Sequence, residues 1–162
     1  MIVHYLIPGG ILILLLLFQL VIAPLLAINQ VTPDTLVIFS VYFALRWGAI
    51  HGMVAGSITG FLFDLVSGLP LGSSMFAKTL SAYVSGLFYN ENKVGQNIFT
   101  WRFALIIFAA SLINYFALYI ITGFDFSANI LDVITIDAVY PALYTMTLSF
   151  VVVFFFPKRN LD

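Results

Sequence analysis

Long apolar runs separated by short polar punctuation dominate the chain. Six can be marked: Leu6–Ile28, Thr35–Leu45 closed by Arg46, Gly48–Val66, Ser73–Tyr89, Phe103–Ile121 and Ala138–Phe156. Most approach the ~20 residues that a helix needs to cross the hydrocarbon of a bilayer. The second run is the exception, because at ~1.5 Å per residue it would reach only about 16 Å. It could span if Asp34 and Arg46 sit within the interface or the bilayer thins locally. The pattern therefore predicts an all-α integral membrane protein, a single polytopic domain over residues 1–162 with six transmembrane helices. A five-span variant, with residues 35–45 re-entrant and the N-terminus outside, leaves all later loops unchanged.

The third run carries a second periodicity. Gly48, Gly52, Gly56 and Gly60 recur every four residues, and the same step leads on to Asp64 and Gly68. Spacing of four stacks residues on one helix face, so the stripe is a groove into which another helix can pack to backbone contact. It serves either internal packing or the docking of a partner's transmembrane helix. Ser57, Thr59, Ser67, Ser81 and Ser85 add small polar surface on the third and fourth runs, compatible with both uses. Between those runs, Gly68 and Gly72 bound a tight outer turn, Ser67-Gly68-Leu69-Pro70-Leu71-Gly72.

Composition removes the soluble alternatives: 62% of residues are hydrophobic, 8% are charged, and the mean hydropathy is +1.11. Lipid is part of the solvent. A net charge of −1 leaves no electrostatic footprint for nucleic acid. With no Cys there is neither a disulfide framework nor a thiolate metal site. The first run is too long for a signal core and follows no Lys or Arg, so it is expected to be a retained span.

Charge placement sets the orientation. If six helices alternate, Arg46, Lys93, Arg102, Lys158 and Arg159 fall on one side and loops without Lys or Arg on the other. The basic side is the cytoplasm, which places both termini there. Trp47 and Trp101 sit beside cytoplasmic Arg residues, as an interfacial aromatic belt would require. The outer loops hold Asp34, Asp125, Asp132 and Asp137. In the longest of them, Gly123–Asp137, Phe126, Ile130 and Ile134 recur at spacing four, which fits a short amphipathic surface helix or an irregular loop dipping apolar side chains into the interface.

Candidate chemistry is sparse. Asp64 and Lys78 are the two charges that fall within helices, both in the outer part of the membrane on antiparallel neighbours. Two readings stand: a structural pair, or separate snorkelling, against capture by Lys78 of a ligand carboxylate or a partner group. His4 and His51 have no second ligand or acid at metal-site spacing. Asn114 and Tyr115 in the fifth run could hydrogen-bond across the bundle or contact a small ligand. There is no phosphate-cradling loop, no nucleophile elbow and no pair of intramembrane Asp residues, so no enzyme, cofactor or metal is expected.

The string GSITGFLFDLVSGLPLG from Gly56 to Gly72, preceded by Pro33-Asp34 and by Ala44-Leu45-Arg46-Trp47-Gly48, resembles the rod-shape-determining protein MreD family. The motif resemblance covers residues 33 to about 89, with length and span count agreeing over the whole chain. It implies a six-helix inner-membrane fold similar to the substrate-binding subunits of energy-coupling-factor vitamin transporters. It also implies a non-enzymatic scaffold role in lateral wall growth and rod shape. The implied partners are a bitopic MreC-like protein and, through the elongation complex, MreB, RodA and a class B penicillin-binding protein. Asp64 matches the family's acid after the glycines, and Gly68 and Gly72 match its outer turn, whereas Lys78 departs from an expected apolar position. A vitamin-binding transporter subunit of the same fold is the alternative, favoured if Lys78, Asn114 and Tyr115 converge on an outer cavity.

Overall fold

The computed structural model describes residues 2–28, 31–91, 94, 98, 100–122 and 133–155. Six helical segments account for most of them. Helix α1 (Ile2–Leu17) continues through a π-helical stretch, Phe18–Ile22, into a last turn, Ala23–Leu25. Helices α2 (Thr35–Trp47), α3 (Ala49–Ser67), α4 (Ser73–Gly86) and α5 (Trp101–Thr122) follow. A second π-helical stretch, Val133–Val139, runs into α6 (Tyr140–Phe155). Lys93, Asp125, Phe126, Ile130, Asp132, Lys158 and Arg159, and with them most of the expected outer amphipathic stretch, lie outside the described residues.

The short second run becomes the centre of the bundle. Nine of the thirteen residues of α2 are buried, including every position from Thr35 to Val41. Its Val37, Ile38, Val41 and Leu45 form one apolar cluster with Ile98, Phe103, Ile107 and Ala110. A helix enclosed by its neighbours need not match the thickness of lipid, which accounts for its length. Gly48 alone separates α2 from α3. Its φ of +93° is open to glycine and strained for an L side chain, and it lets the two helices fold back on each other. Ser40 on α2 then meets Thr59 on α3 at 3.3 Å.

Polarity is distributed inside out. Ser40, Thr59, Ser81, Ser85, Thr145 and Ser149 are at most 1% exposed, while Leu14, Ile50, Phe76, Leu105, Phe116 and Val151 face outward. Water as sole solvent would penalise that apolar exterior. Lipid favours it, because helices then associate through small and hydroxyl-bearing residues rather than through large apolar ones. Two helices, Ala49–Ser67 and Trp101–Thr122, are long and apolar enough to cross a membrane by themselves.

Candidate functional site

Two buried carboxylates organise the interior, and they do different work. Asp64, near the end of α3, faces the first turn of α4 across the Gly68–Gly72 turn. Its oxygens accept from the backbone N–H of Gly72 at 3.0 Å, of Ser74 at 3.1 Å and of Met75 at 3.3 Å, and from the Ser73 hydroxyl at 3.5 Å. A helix start leaves its first N–H groups without intrahelical partners and carries partial positive charge, and an anion answers both. In a site 2% exposed, that arrangement gives both carboxyl oxygens backbone donors. Gly68 and Gly72, at φ of +75° and +96°, give the turn that brings Asp64 over this helix end.

Lys78 pairs with Asp34, at 2.6 Å, and not with Asp64 as the sequence reading expected. Asp64 already has backbone donors for both oxygens. The ammonium lies a turn deeper in α4 and reaches the start of α2, with the Phe63 ring 5.4 Å away. Asp34 is correspondingly no outer-loop acid. It is 7% exposed and is the N-cap of α2, its Oδ1 accepting from Leu36 N–H at 3.0 Å and Val37 N–H at 3.1 Å while Oδ2 takes the Lys78 proton donor.

Neighbouring residues tie the same corner to three more helices. The Asp34 N–H donates to Thr145 Oγ1 of α6 at 3.0 Å. Gln19, in the π-helical stretch after α1, donates to the Pro33 carbonyl at 2.9 Å and accepts from the Thr35 N–H at 2.9 Å and hydroxyl at 2.8 Å. Tyr115 of α5 donates to the Thr32 carbonyl at 3.2 Å. Residues 32–35 thus form a polar hub joining α1, α2, α4, α5 and α6. Asp34 and Lys78 neutralise each other, and the Thr32 and Pro33 carbonyls and the Asp34 and Thr35 N–H groups are hydrogen-bonded, as a low-dielectric interior requires.

Gln19 and Thr145 escaped the sequence reading. A single polar side chain in the long first run, placed before Pro24, was the available signal. Proline cannot donate into the helical ladder, and the Ala23 N–H bonds back to the Phe18 carbonyl instead, widening the turn that carries Gln19 inward.

The glycine stripe faces the chain's own helices. A Cβ on Gly52 would strike Ala44 of α2, one on Gly56 would come within 2.7 Å of the Lys78 carbonyl oxygen, and one on Gly60 within 2.5 Å of the Ser74 carbonyl oxygen. Gly48 lies against the Tyr89 ring. Of the two uses open to the stripe, internal packing is the one this geometry fills, with α2 on one part and α4 on the rest. Gly86 repeats the device from the opposite side, closing on Ala49.

Elsewhere, Arg46 stacks over Trp47, 4.9 Å from the ring centroid, and bonds the Tyr42 hydroxyl, forming a cationic aromatic end to α2. His51 Nδ1 bonds the Trp47 carbonyl at 2.8 Å and is exposed. A cavity of about 540 Å³ opens between α4, α5 and the start of the last helical segment, lined by Phe76, Leu80, Ile113, Phe116, Ile120 and Ala138 among others, all apolar. Lys78, Asn114 and Tyr115 do not line it, so it lacks the polar convergence that would favour a vitamin-binding subunit. Among the described residues no group of three or more His, Asp or Glu could hold a metal ion.

Among the described residues, an apolar exterior, an interior held by helix-capping carboxylates and the Lys78–Asp34 pair, and helices joined at glycine contacts define an all-helical membrane protein. The family model for rod shape-determining protein MreD matches residues 1–159. The chain belongs to that family and is a membrane component of rod-shape determination. No curated protein and no solved structure matches it.

Proposed function

We propose that the protein is a multi-pass scaffold of the cell-wall elongation machinery, holding a bitopic MreC-like partner in the inner membrane, with both termini cytoplasmic. The observation that carries the reading is the family match over residues 1–159. The interior is consistent with such a role: its charged groups are consumed by helix capping and by one ion pair, which makes a rigid body rather than a reaction centre. With the glycine stripe filled from within, the partner contacts the outward apolar surface of the bundle, and MreB, RodA and a class B penicillin-binding protein are reached through the complex. Depletion of the protein in a rod-shaped host tests the reading. Cells should round while the chain's re-expression restores rods; rods that persist through complete depletion would refute it.

A further inference from the structure

Three side chains inside the bundle have no hydrogen-bond partner for a polar atom among the described residues. They are Ser74 Oγ, Ser111 Oγ and Asn114, the last at both Oδ1 and Nδ2. All are at most 1% exposed. Orphaned amides and hydroxyls in an interior cost stability, and native proteins satisfy them, commonly with internal water that makes two to four bonds. Lys78 adds to the demand. Its ammonium has three N–H donors and is 2% exposed, yet its side-chain acceptor is Asp34 Oδ2, with the Phe63 ring beside it.

Register brings Asn114 and Lys78 to the same end of α2, with Ser111 one turn before Asn114 and Ser74 one turn before Lys78. On α5, Phe103, Ile107 and Ala110 pack against Val37, Val41 and Leu45. Asn114 is the next position on that face, one turn further toward the start of α2, where Asp34 stands. Its neighbour Tyr115 reaches the Thr32 carbonyl at that same start. On α4, Ser74 lies one turn before Lys78 on the buried face and is one of the residues whose N–H groups donate to Asp64.

We propose that Asn114 and the free donors of Lys78, flanked by Ser111 and Ser74 one turn to either side, line an internal hydration site beside the Lys78–Asp34 pair. The chemistry selects water. Asn114 presents a donor and an acceptor, the serines can act as either, and the ion pair is already neutral, so the groups left over call for a small neutral molecule that both donates and accepts. Water there gives the buried ammonium the acceptors that the described residues do not supply.

Two measurements on the full chain decide it. A high-resolution structure of the wild-type protein in nanodiscs should show at least one water-sized density within hydrogen-bond distance of the Asn114 amide. Thermal unfolding of Asn114→Leu, close in shape and apolar, should give a lower Tm, because the substitution strips the hydration of Lys78. In a dry site the same change removes an unsatisfied amide, and the Tm would hold or rise. An empty amide environment, density larger than water, or an unchanged or raised Tm would each overturn the proposal. If the variant does not accumulate, the wild-type map alone decides.

Discussion

Asp34, Asp64 and Lys78 are three buried charges whose roles follow from what each can reach. Lys78→Met leaves the Asp34 carboxylate buried without its cation and should destabilise by about 3–5 kcal/mol, while the double variant with Asp34→Asn recovers most of the loss. A double-mutant cycle in nanodiscs should therefore show strong coupling for Lys78 with Asp34 and additivity for Lys78 with Asp64. Coupling to Asp64 instead would reverse the assignment. Asp64→Ala strands the first N–H groups of α4 and should cost roughly 2 kcal/mol, with Asp64→Asn retaining part of the cap. Equal unfolding midpoints for wild type and Asp64→Ala would show that the cap carries no stability.

The acid–base partnership was only half legible in the sequence. Asp64 and Lys78 announce themselves because they interrupt apolar runs, but choosing a partner needs to know which helix starts are buried. Asp34 reads as a loop acid because Pro33-Asp34 precedes a run too short to span. Asp before Thr35 is also a strong N-cap signal, and it points to the true position.

At the scale of elements, spacing was the most readable feature. Repeats of four placed Gly52, Gly56 and Gly60 on one face, and the structure puts α2 and α4 against that face. What spacing could not say is whose helix fills it, since a groove in a sequence has no label for self or partner. The central place of α2 was likewise invisible, because burial by five neighbours looks in sequence like a helix too short for the membrane. The stripe gives a sharp contrast. Gly60→Ala drives a Cβ toward the Ser74 carbonyl oxygen and should cost about 1–3 kcal/mol. Gly9→Ala in α1 meets nothing within 4 Å and should be neutral or stabilise by up to ~1 kcal/mol through helix propensity. Thermal unfolding of the two variants reads the difference, and equal midpoints would mean that the α3–α4 contact is looser than described.

For the molecule as a whole, an apolar exterior surrounds a buried polar hub, the arrangement that the proposed scaffold role would use to meet other membrane helices. The one-sided Lys and Arg residues of the sequence predict an orientation with both termini in the cytoplasm. Reporter fusions at either terminus should report from the cytoplasm; an N-terminal tag labelled from outside intact cells would favour five spans. The scaffold reading itself meets its most direct test in copurification. The tagged wild-type chain, extracted gently from its native membrane, should bring down a bitopic MreC-like protein. Recovery without any such partner, together with tight binding of a vitamin-sized molecule, would contradict the account and favour a transporter subunit.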